Sequence, residues 1–155
     1  MTIEPGDAAP DFTLPRAPGE TVSLSDLTAD RNVVLLFFPL AWSSVCTKEL
    51  CSLRDDYDSW GELDAEVVGI SVDSPFALQA WSKEQGFQYP LLSDFNRQVS
   101  RAYGAIYDEF FGLEGVSKRA AFVIDRNGVV RHAEVLENAG ELPDFDAVRS
   151  VLESI

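Results

Sequence analysis

Two thiols stand five positions apart in this chain, Cys46 and Cys51, within the stretch LLFFPLAWSSVCTKELCSLRDDYDSW, Leu35 to Trp60. An apolar run ends at Pro39, a small polar loop containing Ser43 follows, and a segment with helical spacing carries Cys46, Glu49 and Cys51. A cysteine in the first turn of a helix meets unpaired backbone N–H groups and the positive end of the helix dipole. Both favour thiolate over thiol, and the thiolate is the reactive nucleophile. Arg119, far along the chain, opens a second apolar run, RAAFVID. An arginine offers a permanent charge and several fixed donors, suited to holding a thiolate or polarising a bound oxygen. The Ser43 hydroxyl can donate or accept, and the Pro39 ring, lacking an N–H, can cover a thiolate's flank.

Each residue also has a plainer reading. Free cysteines are mostly small buried hydrophobes. Pro39 can simply end a strand, Ser43 can be only a helix N-cap, and Arg119 can pair with a surface acid. Glu49 can merely complement the helix dipole. Taken singly, Pro39 and Glu49 fit the plainer reading better. His132 is the only histidine; a cysteine–histidine pair would have to use it. It lies between Arg131 and Ala133 in a predicted strand and is expected as an exposed strand side chain. A metal site would need Cys46, Cys51 and His132 to converge, while cysteines at i and i+5 point in divergent directions. No metal and no cofactor are expected.

The elements that position these residues read as alternating strands and helices. Asn32 to Phe38 is apolar without alternation, as a strand buried on both faces should be. The following helix is expected from about Ser44 to Trp60, stopped by Gly61. At about 100° per residue, Cys46, Leu50, Leu53, Tyr57 and Trp60 fall within about 40° of one direction, with Cys51 roughly 140° away. Ala65 to Asp73 is a second buried strand. Pro75 opens a helix ending at Gly86, and SDFNRQVSRAYG suggests a short helix capped by Ser93 or Asp94 and stopped by Gly104. Arg119–Asp125 and Val129–Leu136 flank Asn127-Gly128, a strong hairpin signal. The last helix starts near Asp144 and puts Phe145, Val148, Leu152 and Ile155 on one stripe. This order predicts an α/β fold, a mixed central sheet with helices on both faces in the thioredoxin-like arrangement. The site is expected where the first buried strand gives way to its helix.

The whole chain, 1–155, is expected to form one domain. With 26 acidic against 12 basic residues and a net charge of −14, it should repel nucleic acid and anionic membrane surfaces. The N-terminal stretch MTIEPGDAAPDFTLP has neither a basic region nor an apolar core typical of a leader. The longest apolar run, Val33 to Leu40, is too short to cross a bilayer. A soluble, cytoplasmic protein is the expectation.

Pro39, Ser43 and Cys46 in PLAWSSVC resemble the peroxiredoxin signature of Pro, three residues, Thr or Ser, two residues and Cys. GDAAPDFTL, Gly6 to Leu14, is similar to that family's N-terminal motif, and Glu49 and Arg119 fall where the family has a Glu and an Arg. The similarity covers essentially the whole chain and looks most like the alkyl hydroperoxide reductase E-like branch, with the bacterioferritin-comigratory-type branch second. The family usually has Thr where this chain has Ser43. The resemblance implies a thiol peroxidase that reduces hydrogen peroxide and organic hydroperoxides through a sulfenic acid on Cys46. Cys46, Arg119, Ser43 and Pro39 would be catalytic and Glu49 supporting. Partners would be a hydroperoxide, a thiol reductant (a thioredoxin-like protein or a low-molecular-weight thiol) and a second copy in a homodimer. Trp42 and YDEFFG, Tyr107 to Gly112, would line an apolar mouth or that interface.

Cys51 carries two readings. In an intact helix its Cα is about 8–9 Å from that of Cys46, whereas a disulfide needs less than about 7 Å. Either the helix start unwinds after oxidation and Cys51 resolves the sulfenic acid, as relatives with this spacing imply, or Cys51 is passive and an external thiol does so. Two other functions on this fold require different cysteine spacings. A thiol–disulfide oxidoreductase needs C-x-x-C, but Ser43 holds the first position. A copper-delivery protein needs C-x-x-x-C with a distant histidine, one residue shorter than this spacing.

Overall fold

The computed structural model describes residues 3–155; Met1 and Thr2, the start of the stretch read for a leader, lie outside it. In chain order the elements are β1 (Thr13–Ala17), β2 (Glu20–Ser23), α1 (Leu24–Asp30), β3 (Asn32–Phe37), α2 (Ser44–Asp55), α3 (Tyr57–Glu62), β4 (Ala65–Ser71) and α4 (Pro75–Gln85). They continue with β5 (Leu91–Ser93), α5 (Gln98–Ala102), β6 (Glu109–Phe110), β7 (Leu113–Glu114), β8 (Ala120–Ile124), β9 (Val130–Val135) and α6 (Phe145–Ser154).

The central sheet has the order β5-β4-β3-β8-β9. β3, β4 and β5 run parallel, while β8 is antiparallel to β3 and β9 to β8. The crossovers from β3 to β4 and from β4 to β5 step in the same direction. Right-handed connections therefore deliver α2, α3 and α4 to one face. There Leu50, Leu53, Trp60, Leu78 and Trp81 pack with Val34, Leu36 and Phe38, joined by Val148 and Leu152 of α6. The other side of the same strand, Val33, Leu35 and Phe37, packs with Leu24, Val99 and Tyr103. Every residue of β3 is buried, which explains its unbroken apolar run. This is the thioredoxin-like arrangement expected.

The structure departs from expectation at the edges. The predicted helix over Ser44–Trp60 is two helices, broken at Asp56. There the backbone tightens, with the Asp56 N–H bonded to Leu53 O, and the carboxylate is held by Arg149 of α6. Gly61 lies inside α3 rather than stopping it. The apolar stripe survives the break, with Cys46, Leu50, Leu53 and Trp60 buried and Tyr57 packed beside them. Ser93 belongs to β5, and α5 starts later than expected. Asp94 still caps it across a turn, accepting the Val99 and Ser100 N–H groups. Ile155 is exposed rather than part of the α6 stripe. The hairpins β1–β2 and β6–β7, helix α1 and strand β5 are too short or too irregular in pattern to stand out from sequence.

One glycine is fixed by packing. Gly69 of β4 pairs with Leu36 and Leu91, and a Cβ there would come within 2.6 Å of Leu91 Cδ2 and 3.2 Å of Phe38 Cε1. The bare backbone lets the Phe38 ring settle across β4, immediately before Pro39. Gly69→Val should therefore overpack this core and cost about 2 kcal/mol or more, lowering the melting temperature by roughly 5 °C or more. Unchanged thermal unfolding would show that Leu91 and Phe38 can give way.

Candidate active site

The loop leaving β3 is built to present α2. The Phe38 N–H makes the last strand bond, to Ile70 O at 3.0 Å, and Pro39 has no N–H with which to continue the ladder. The Ala41 N–H then donates to Asp73 Oδ2 at 2.7 Å, and the Ser71 hydroxyl reaches the same oxygen at 2.7 Å. A carboxylate beyond β4 thus ties the loop to the sheet. Trp42 follows with φ of 72°, and its exposed ring packs on Trp81 with centroids 6.4 Å apart.

Ser43 has the extended backbone of an N-cap, but its side chain makes no capping bond. Its hydroxyl donates instead to Leu40 O at 2.9 Å, while its carbonyl accepts the Thr47 N–H and hydroxyl. The simple N-cap reading of Ser43 is therefore replaced. With its one proton committed to the loop, the oxygen's lone pairs are left for another donor.

Cys46 is buried in the first turn of α2. The antiparallel pairing of Phe37 with Ala120 places Arg119 just past the ladder, beside the strand end where Pro39 begins. From there its guanidinium makes three bonds: Nη2 to Cys46 Sγ at 3.1 Å, Nη1 to Glu49 Oε1 at 3.0 Å and Nε to Ala139 O at 3.0 Å. Arg119 and Glu49 are both buried, so neither the surface-arginine reading nor the helix-dipole reading of Glu49 holds. Glu49 aims the guanidinium. Its Oε2 has no partner among the described residues, and burial pushes its carboxyl up to about 7, although Arg119 pulls the other way. One fixed positive charge therefore faces two groups able to carry a negative one, and a thiolate at Cys46 competes with a Glu49 carboxylate for it.

A cavity of about 560 Å³ opens onto the sulfur, lined by Pro39, Leu40, Ser43, Cys46, Arg119, Phe110 and Phe111 together with Ala139 and its neighbours. Among the described residues no acidic side chain lines it, in a chain of net charge −14. Phe111 is 91% exposed and sits with Gly112 in the positive-φ turn between β6 and β7. A cavity of similar size beside Arg97 and Arg101 has no cysteine among its described lining residues. The structure thus brings Pro39, Ser43, Cys46, Glu49 and Arg119 together with the phenylalanines of YDEFFG.

It does not bring in Cys51, Trp42 or His132. Cys51 lies half-buried with its thiol 3.4 Å from Gln85 Oε1 of α4. Trp42 does not line the cavity. His132 is half-buried rather than exposed, 3.3 Å from Glu134. The Ala139 carbonyl was missed from sequence. The Asn138-Ala139-Gly140 turn after a strand marks a loop, but nothing local marks that oxygen as an arginine's acceptor. Chemically, the arrangement aims a cationic donor at a sulfur beneath an apolar opening. It can stabilise negative charge on that sulfur and on an oxygen brought against it.

Residues 5–133 match the AhpC/TSA family. The chain is 39% identical over 141 residues to alkyl hydroperoxide reductase E of Mycobacterium bovis, covering 90% of this chain and 89% of that one. It is 37% identical to the chloroplastic 2-cysteine peroxiredoxin of Chattonella marina, over 87% of this chain and 72% of that one. Among solved structures, peroxidoxin BcpB from Mycobacterium tuberculosis superposes with a TM-score of 0.87 at 34% identity, covering 99% of this chain and 98% of that one.

The buried carboxyl makes a prediction about stability. Glu49 holds its proton to about pH 7 in the folded chain, against 4.5 as the ordinary value. The folded state is thus the better proton binder, and the Glu49 contribution to stability is greatest below the ordinary value and falls as pH rises towards 7. The loss is about 3 kcal/mol. Glu49→Gln removes the titration. The melting temperature of Glu49→Gln minus that of wild type should rise by roughly 5–10 °C between mildly acidic and mildly alkaline buffer. A difference independent of pH would mean that the carboxyl titrates normally.

Proposed function

The chain belongs to the AhpC/TSA family, the peroxiredoxins, and from that premise we propose that Cys46 is the sulfur that attacks peroxide. The protein is a thiol-dependent peroxidase. The observation that carries the assignment of roles is the 3.1 Å contact from Arg119 Nη2 to Cys46 Sγ, made by a guanidinium already held by Glu49 and Ala139.

The Cys46 thiolate attacks one peroxide oxygen, the O–O bond breaks, and the other oxygen leaves with the bonding pair and takes a proton to become water or an alcohol. Cys46 is left as the sulfenic acid. Negative charge moves from sulfur to the departing oxygen. Arg119, with donors in a rigid fork, stays close to it throughout and gains strength where it develops. The Ser43 oxygen is free to accept the incoming peroxide's proton. Pro39 walls the sulfur at the strand end, and Glu49 supports Arg119 without touching the peroxide.

Hydrogen peroxide and organic hydroperoxides are the substrates, the latter favoured by Leu40, Phe110 and Phe111 around the opening. A thioredoxin-like protein or a low-molecular-weight thiol returns the electrons. The exposed Phe111 and Leu113 beside the cavity support a homodimer that covers them. The chain works as one thioredoxin-like domain, 1–155, in the cytoplasm; among the described residues no helix is long and apolar enough to cross a membrane. Cys51 resolves the sulfenic acid after the first turns of α2 unwind. The thiol–disulfide oxidoreductase and copper-delivery readings are not favoured: Ser43 stands where the former needs a cysteine, and Cys51 and His132 lie apart from Cys46.

Cys46→Ser should abolish peroxide consumption while leaving thermal unfolding close to wild type, because a serine hydroxyl is not ionised at neutral pH. Intact wild-type protein given one equivalent of peroxide should first gain one oxygen's mass and then lose two hydrogens relative to the reduced form. Turnover persisting in Cys46→Ser would remove the assignment. A free thiol surviving at Cys51 would remove its resolving role.

A further inference from the structure

The two thiols of α2 are held in opposite ways. Cys46 accepts from a guanidinium, whereas the Cys51 thiol donates to the side-chain oxygen of Gln85 at 3.4 Å. Gln85 is a meeting point, because its main-chain oxygen accepts Arg54 Nη1 at 2.6 Å. Arg54 lies three residues after Cys51, on the same side of α2. Its pKa is held above the usual arginine value, first by Asp55 at 2.9 Å and, among lesser causes, by Cys51.

The same turn is fastened elsewhere. Tyr89 OH donates to Leu50 O at 2.5 Å, and Gln88 Nε2 donates to Arg54 O at 3.2 Å. The segment from Gln85 to Tyr89 thus grips α2 around Cys51. Among the described residues the first turn has no such grip: Ser43 does not cap it with its side chain, and Arg119 ties Cys46.

We propose that Arg54 and Gln85 form a holding site for the resolving thiol, with Gln85 keeping Cys51 in place as S–H and Arg54 stabilising the thiolate that attacks the oxidised Cys46. This rests on the reading of Cys51 as the resolving residue. The Cys46 turn is the part that travels, because the Cys51 turn is anchored. In the step itself, the Cys51 thiolate attacks the sulfenic sulfur, the S–S bond forms, and the S–O bond breaks. Hydroxide leaves and takes up a proton to give water. Cys51 is oxidised and the Cys46 sulfur is reduced from sulfenic acid to disulfide. Arg54 acts only through Cys51 and is a positioning residue.

The other groups facing Cys51 do not supply this charge. Tyr89 is kept protonated by burial, Asp55 is bonded to Arg54, Lys48 one turn back is exposed, and Glu49 lies on the Arg119 side.

The test compares wild type, Arg54→Met and Arg54→Lys after one equivalent of hydrogen peroxide. Acid quenching, alkylation and intact mass separate sulfenic acid from disulfide. Sulfenic acid formation at Cys46 serves as the internal reference. Arg54→Met should slow disulfide formation about tenfold at neutral pH. Arg54→Lys, which keeps the charge, should restore most of that rate. The proposal is overturned if Arg54→Met leaves the rate unchanged. It is also overturned if both variants slow the step equally, since that would be a structural effect. Wild-type protein that never forms the Cys46–Cys51 disulfide would remove the proposal together with the resolving role of Cys51.

Discussion

Burying a guanidinium is costly unless its donors find acceptors and its charge finds a counter-charge. Arg119 obtains these from three groups in two distant parts of the chain: the Cys46 sulfur and the Glu49 carboxylate on α2, and the Ala139 carbonyl beyond β9. All three must be in position together. That requirement explains why α2 starts where it does, why β3 and β8 are neighbours, and why the chain after β9 turns back over the strand end. Removing one partner would leave the charge underpaired rather than merely loosen a contact.

The same constraint shapes the surroundings of the sulfur. Asp73 holds the Pro39–Ser43 loop through Ala41, and Gly69 leaves room for Phe38, so the loop that leads into α2 is tied to the sheet. The cavity wall is mostly apolar and, among the described residues, free of acids, although the sequence carries a large excess of them. An acid at that wall would compete with Cys46 for Arg119, as Glu49 already does. The burial that pushes Glu49 up to about 7 eases this competition near neutrality.

The central sheet and the buried cysteine at the start of α2 were legible because each rests on local pattern. An unbroken apolar run marks β3, Asn-Gly marks the β8–β9 turn, and the stripe from Cys46 to Trp60 marks the packed face of α2 and α3. The break at Asp56 was not legible, because it depends on Arg149, 93 residues away. Taken singly, Glu49 fitted dipole complementation better for a similar reason: only the folded chain shows Arg119 beside it. The bonding of Ser43 was not legible either: its sequence position suits a cap, while its hydroxyl turns to Leu40. The short strands β5, β6 and β7 have too few residues to display a period.

The central claim is that a fixed, forked guanidinium at Arg119 drives the chemistry of Cys46. The most direct measurement is the second-order rate constant for hydrogen peroxide with wild type and with Arg119→Lys, at a pH where both are folded. An ammonium can keep the charge but cannot bond the sulfur, Glu49 and Ala139 at once. The rate should therefore fall about tenfold or more, equivalent to about 1.4 kcal/mol of transition-state stabilisation. A folded Arg119→Lys protein that reacts with peroxide at the wild-type rate would contradict the account.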